Sequence, residues 1–67
     1  MHIHPIRTAR QSKGLTQQAL ADQLGVTKVA VSKWEQGKSY PEPRTAFGVA
    51  KALRLRLEDV YASAKAA

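Results

Sequence analysis

The chain has 67 residues and a net charge of +6, with 11 Lys or Arg residues against five Asp or Glu residues. This length fits one small domain, residues 1–67, and the lack of Cys excludes a disulfide framework and a Cys-based metal site. The positive charge indicates a polyanionic partner, although charge alone does not choose between DNA, RNA and a membrane surface.

No apolar run approaches the roughly 18 residues of a transmembrane helix. The N-terminal stretch MHIHPIR lacks the apolar segment of a secretory signal. The absence of Cys is typical of a reducing compartment. We therefore expect a soluble, cytoplasmic protein.

The first predicted helix spans residues 5–13. Pro5 suits a first helical turn, where its missing N–H costs nothing, and Gly14 closes the segment. Ile6 and Arg10 share one face at about 100° per residue. Arg10 on an otherwise apolar face is costly unless an anion meets it.

Two amphipathic helices follow, predicted at residues 17–24 and 28–36. Gly25 separates them, at a position where a helix commonly ends on a residue with positive φ. Thr16 and Thr27 are the predicted N-caps, because their hydroxyls can accept a hydrogen bond from the first turn.

The third predicted helix has two unlike faces. One face carries Trp34 and Val31, with Glu35 as a misplaced charge, and it is expected to pack inward. The opposite face is basic and polar, and its members are Lys28, Val29, Ser32 and Lys33. Ala21 on the preceding helix is small enough for two helices to cross closely, and a helix presented in this way fits the DNA major groove.

Eight residues agree with one known motif, and they are Gln17, Ala21, Gly25, Thr27, Val31, Trp34, Glu35 and Gly37. Their spacing resembles the phage-repressor (XRE) type of helix-turn-helix, the family of lambda repressor and Cro, from about residue 5 to residue 61. The resemblance implies an all-α, compact five-helix domain with the motif in helices 2 and 3. It also implies a partly buried ion pair between Arg10 and Glu35, which on the residues alone could instead both extend to solvent.

The fourth predicted helix spans residues 44–53, after an extended loop enforced by Pro41 and Pro43. Its apolar residues predict a buried face of Phe47, Ala50 and Leu53. Gly48 either permits the close approach of another backbone or is an exposed, tolerated glycine, and we expect the second.

The fifth predicted helix spans residues 57–63, with fraying expected beyond Ser63. Its apolar stripe consists of Leu57, Val60 and Tyr61. Members of the resembled family usually carry Gly and a capping Ser or Thr where this chain has Arg54 and Arg56. Helices 4 and 5 are therefore expected either to meet at a strained turn or to merge in part.

The resemblance assigns base contacts to Lys28, Val29, Ser32 and Lys33. Lys can donate to guanine O6 and N7, Ser suits either kind of base, and a small apolar group can meet the thymine methyl. The alternative is a basic helix face that is merely solvated.

Phosphate contacts are expected around the same surface. Gln17 and Gln18 lie at a predicted helix N-terminus, where free N–H groups and the helix dipole favour a phosphate. The full set of candidates is Gln17, Gln18, Thr27, Gln36, Lys38 and Arg44. The resemblance also gives Gln17 a role in bracing a recognition residue. The alternatives are a solvent-exposed Gln and generic solubilising charges.

No catalytic or metal site is expected. His2 and His4 form a His-x-His pair on a terminus that we expect to fray, and two ligands are too few for a site. The acidic residues are scattered or explained structurally, so no enzyme activity and no cofactor are predicted. Trp34 could stack on a base, but its inward position favours the core.

The predicted function is a sequence-specific double-stranded DNA-binding transcriptional regulator, with repression favoured. A homodimer on a roughly palindromic operator would double the base contacts. The interface candidates are Leu55, Leu57 and Tyr61, which could equally complete the core. The alternative is an antitoxin-type protein-interaction module with secondary DNA binding and a protein partner. A basic helix on a membrane surface ranks last, because the apolar residues face one core.

Overall fold

The computed structural model describes residues 4–61. Within them lie five helices and no strand, which confirms the all-α prediction. The helices are α1 (Pro5–Ser12), α2 (Gln17–Leu24), α3 (Lys28–Glu35), α4 (Pro43–Leu53) and α5 (Leu57–Val60). The predicted bounds differ by one residue at the ends of α1 and α3 and at the start of α4, and α5 ends at Val60 although Tyr61 was predicted to lie within it. Residues 62 and 63, predicted as the end of α5, lie outside the described residues.

Side-chain caps begin the first three helices. Thr16 Oγ1 accepts a hydrogen bond from the Ala19 N–H at 3.0 Å, and Thr27 Oγ1 accepts one from the Ala30 N–H at 3.1 Å. Both predicted caps are therefore confirmed. His4 caps α1, since its Nδ1 accepts from the Ile6 N–H at 3.1 Å, and the residue is buried. The expectation that His4 lies on a frayed terminus was wrong.

The core is formed by apolar side chains from all five helices. Trp34 is buried among them, as predicted, with only 5% of its surface exposed. The buried apolar residues are Ile6, Leu20, Ala21, Val31, Trp34, Ala46, Val49, Leu53 and Val60. Each of the five helices supplies at least one of these residues, so this short chain forms a single hydrophobic core.

The predicted inner face of α4 was wrong at Phe47. The helix buries Ala46, Val49 and Leu53 and half-buries Ala50, whereas Phe47 is 63% exposed. The four inner residues follow the i, i+3, i+4, i+7 pattern of one helix face, and Phe47 is turned about 100° away from Ala46. The side of α4 that packs inward is therefore the one with Ala46 and Val49, and not the one with Phe47.

Gly48 also differs from its prediction. It is half-buried, and a Cβ built on it would lie 3.3 Å from Leu24 Cδ2 at the end of α2. Glycine therefore lets the Leu24 side chain approach α4 closely, so it is not an exposed, tolerated residue.

The turn between α4 and α5 is the strained one of the two predicted alternatives. Arg54 takes the left-handed backbone conformation, with φ 55° and ψ 41°, which residues other than Gly rarely adopt. The Arg56 N–H then donates to Asp59 Oδ2 at 3.2 Å, so an acidic side chain satisfies the start of α5. The two helices are separate and do not merge.

Candidate nucleic-acid interface

The turn between α2 and α3 fixes the two helices against each other. Gly25 has φ 69° in the left-handed region, and the Val26 N–H donates to the Ala21 carbonyl at 3.0 Å. Ala21 is fully buried where the helices meet, as is Val31 on the facing side. The small side chain of Ala21 permits the close crossing that the sequence predicted.

The outer face of α3 takes no part in the core. Lys28, Val29 and Lys33 are exposed, and Ser32 is half-buried. Val29 has 61% of its surface exposed although it is apolar. All four predicted base-contact residues therefore share one outward surface, opposite the buried Trp34.

Arg10 and Glu35 form the predicted ion pair, from α1 to the last residue of α3. Arg10 Nε lies 2.7 Å from Glu35 Oε2, and Arg10 Nη2 donates to Glu35 Oε1 at 3.1 Å. A third donor, Nη1, reaches the Leu15 carbonyl at 2.7 Å. The Arg10 and Glu35 side chains are only 9% and 4% exposed. The two buried charges are thus paired through a bidentate contact, the geometry that suits a guanidinium and a carboxylate.

Gln17 joins this ion pair from the first turn of α2. Its Nε2 donates to Glu35 Oε1 at 3.0 Å, so one carboxylate oxygen receives both Gln17 and Arg10. The resemblance gave Gln17 a phosphate contact and the bracing of a recognition residue, whereas in the structure its side chain braces Glu35, which is not one of the predicted base-contact residues. A Gln amide has two donor hydrogens, so one remains for another acceptor.

The other predicted phosphate residues lie around α3 but are not all held alike. Gln36 Nε2 donates to Ser32 Oγ at 2.8 Å, which brings a predicted phosphate residue together with a predicted base-contact residue. Gln18 is instead bound to Asp22 Oδ1 on its own helix at 2.9 Å. The Thr27 hydroxyl oxygen is engaged as the α3 cap. Lys38 and Arg44 are exposed, in the loop after α3 and in the first turn of α4.

A helix-turn-helix family model matches residues 6–60, most of the chain. The chain belongs to the helix-turn-helix family. The DNA-binding domain of the P22 C2 repressor, solved by nuclear magnetic resonance, is a similar structure, with a TM-score of 0.73 and 31% identity. The match covers 82% of this chain and 72% of that domain. This likeness places the helix-turn-helix domain in the lambda-repressor-like fold, as the residue pattern suggested.

Curated relatives come from archaea and bacteria. An uncharacterized HTH-type transcriptional regulator of Archaeoglobus fulgidus is 36% identical, over 84% of this chain and 80% of its own length. The HTH-type transcriptional activator BcrR of Enterococcus faecalis is also 36% identical, but the match covers 82% of this chain and 27% of BcrR. The helix-turn-helix domain thus spans about a quarter of BcrR. The fold and these relatives are those of transcriptional regulators and not of enzymes.

Residue Tyr61 of the helix-turn-helix domain has a role that sequence reasoning missed. Its O–H donates to the Pro41 carbonyl at 3.2 Å, and its ring centroid lies 5.9 Å from that of Tyr40. Tyr61 and Leu55 both pack against the core, whereas Leu57 is 37% exposed. Of the three dimer-interface candidates, two help to complete the core. No local sequence signal marks the bond to Pro41, because it joins residues 20 positions apart.

Across residues 4–61, no group of three or more His, Cys, Asp or Glu side chains could hold a metal ion. None of the helices in that range is long and apolar enough to cross a membrane. His2 lies outside the described residues.

Proposed function

We propose that this helix-turn-helix domain binds double-stranded DNA in a sequence-specific manner and represses transcription from the site it occupies. The observation that carries the proposal is the two-sided character of α3. Its inner residues Val31 and Trp34 are buried, while Lys28, Val29 and Lys33 are left exposed on the outside. A basic, solvent-facing helix held on a rigid pair of helices is suited to entering the major groove.

In this proposal Lys28, Val29, Ser32 and Lys33 read base edges. Both Lys side chains can donate to guanine O6 and N7, while the exposed Val29 can meet a thymine methyl. The contacts that fix the position of the domain without reading sequence are assigned to Gln17, Gln18, Thr27, Gln36, Lys38 and Arg44. They belong to the first turn of α2, the two ends of α3, the following loop and the first turn of α4. Helix N-termini among these positions favour an anion.

We further propose that the domain binds its operator as a homodimer. One short helix offers few base contacts, and two half-sites about 34 Å apart would double them. Leu57 is the interface candidate that remains exposed. Repression would follow when a bound dimer excludes polymerase from an overlapping promoter; the similar P22 C2 protein is named a repressor, whereas the similar BcrR is named an activator.

The first test is selection of bound duplexes from a random library, at low and near-physiological salt. The proposal predicts a two-fold symmetric site with half-sites about one helical turn apart. Salt-sensitive binding without any enriched sequence would contradict it, and would favour a protein partner as the main ligand. A reporter carrying the selected site across its promoter then separates repression from activation.

Two Lys variants divide base contacts from phosphate contacts. Lys33→Ala should relax the preference at one or two base pairs, whereas Lys38→Ala should weaken all sequences alike and reduce the salt slope by about one. Lys51→Ala is the matched control, since Lys51 is an exposed cation of α4 outside the proposed interface. Identical behaviour of the Lys33 and Lys38 variants on the selected site and on random DNA would refute this division.

A further inference from the structure

Ser32 differs from the other proposed base-contact residues because a neighbouring side chain holds its hydroxyl. Gln36 Nε2 donates to Ser32 Oγ at 2.8 Å across one turn at the end of α3. Within residues 4–61, neither the Lys28 nor the Lys33 ammonium has a side-chain hydrogen bond or ion pair. The outer face of α3 therefore combines two free cations, Lys28 and Lys33, with one oriented hydroxyl, that of Ser32.

The bond from Gln36 changes what Ser32 can offer to a base. A Ser hydroxyl has one donor hydrogen and two acceptor lone pairs, and the Gln36 amide occupies one lone pair. The hydroxyl hydrogen then points away from Gln36, and across residues 4–61 it donates to no other protein group. One lone pair stays free as well, but accepting a hydrogen bond strengthens a hydroxyl as a donor, so donation is the function of Ser32 that the bond from Gln36 favours.

We propose that Gln36 is a positioning residue that makes Ser32 read a hydrogen-bond acceptor on the base it meets. In the major groove guanine presents N7 and O6, adenine N7 and thymine O4 as acceptors, whereas cytosine presents only its N4 amino donor. Ser32 therefore selects against cytosine, with guanine and thymine as the bases whose O6 or O4 it can meet. This inference rests on the proposed DNA-binding function, and it gives that function a base preference.

The positioning role is compatible with the phosphate contact assigned to Gln36. One Nε2 hydrogen goes to Ser32, and the second is available to an anion. The two roles have different consequences for binding. Loss of a phosphate contact lowers the affinity for every sequence by one factor, while loss of the Ser32 orientation alters the ratio between sequences.

The experiment measures Kd for the selected operator and for variants with each base at every position of the half-site. Wild type is compared with Ser32→Ala, Gln36→Ala and the double variant, and circular dichroism checks that each is folded. The base pair that Ser32 contacts, called the Ser32 position of the half-site, is identified as the one where Ser32→Ala flattens the base preference. There, wild type should favour guanine or thymine over cytosine by roughly three- to tenfold, the range of one hydrogen bond.

Gln36→Ala should bring that ratio close to one, and in the Ser32→Ala background it should change no ratio. A ratio that Gln36→Ala leaves intact, with all affinities reduced alike, would overturn the proposal in favour of a phosphate contact alone. A wild-type preference for cytosine would also overturn it, as would the absence of any position that responds to Ser32→Ala. Each of these three results would leave the selected operator, and so the proposed function, standing. If wild type selects no site, both fail together.

Two further variants sharpen the result. Gln36→Glu places an acceptor where the amide donor was, so Ser32 should donate to the carboxylate and accept from the base. The preference at that position should then move towards cytosine, even though the added negative charge weakens binding to all DNA. Gln23→Ala is the control, since Gln23 is an exposed Gln of α2 outside the proposed DNA contacts. It should leave the ratio at the Ser32 position unchanged.

Discussion

Replacing one partner of the buried ion pair between Arg10 and Glu35 should lower the free energy of unfolding of this domain by a large amount. Arg10→Met removes three hydrogen bonds, two to Glu35 at 2.7 and 3.1 Å and one to the Leu15 carbonyl at 2.7 Å. The Glu35 side chain, only 4% exposed, keeps a single side-chain donor, Gln17. Glu35→Leu strands the Arg10 guanidinium in the same way, with 9% of its side chain exposed.

The size of the loss follows from burial. Removing one partner of a buried pair costs about 3 to 5 kcal/mol, because the remaining charge is left without compensation. A chain of 67 residues has a total free energy of unfolding of roughly 3 to 10 kcal/mol. Either single variant should therefore lose from about a third to all of that free energy of unfolding. The Arg10→Met/Glu35→Leu double variant strands no charge, so it should recover at least about 2 kcal/mol of the summed losses.

Urea unfolding followed by the fluorescence of Trp34 and by circular dichroism measures these free energies. Trp34 is the single Trp of the chain and is buried, so its emission reports the core. Arg56→Met is the matched control, because it removes only surface ion pairs, with Glu58 and Asp59, and should change stability by less than about 0.5 kcal/mol. Single losses below about 1 kcal/mol that simply add in the double variant would refute the argument from burial.

Four other substitutions test the fold by the same unfolding measurement. Arg54→Gly should raise the free energy of unfolding by about 1 kcal/mol, because Gly relieves the positive φ of 55°; no gain would mean that this turn is unstrained. Tyr61→Phe should lower it by about 1 kcal/mol, since the Pro41 carbonyl loses its partner while the ring stays. Phe47→Ala should change it by less than about 0.5 kcal/mol, against about 3 to 5 kcal/mol for Trp34→Ala. Equal losses of unfolding free energy for Phe47→Ala and Trp34→Ala would contradict the exposures of these two side chains.

The helix pair at the centre of the fold was predictable because its signals are local. Thr16 and Thr27 satisfy N–H groups three residues away, and Gly25 supplies a backbone conformation at its own position. Such signals act over a few residues and do not depend on the rest of the fold. The same holds for the outer face of α3, which follows from helical periodicity once the inward face is known.

The errors arose where the outcome depended on packing between distant elements. The phase of α4 is set by its fit against the other helices, which placed Ala46 and Val49 inside and left Phe47 outside. His4 was missed as a cap because imidazole is not among the usual capping groups, and its burial depends on the packing of α1. The bond from Gln17 to Glu35 spans 18 residues, so periodicity within one helix could not reveal it.

That bond also gives the ion pair a part in the proposed interface. Glu35 holds Arg10 from α1 and Gln17 from the first turn of α2, so one carboxylate ties the start of α2 to the end of α3. The Arg10→Met/Glu35→Leu double variant recovers stability but leaves Gln17 without this acceptor, and its amide is then free to rotate. If Gln17 donates its second hydrogen to a phosphate, the folded double variant should bind all DNA sequences more weakly, with base preferences unchanged. Gln17→Ala should produce the same loss in wild type and no further loss in the double variant. Equal DNA affinity of the double variant and wild type would show that the ion pair serves folding alone.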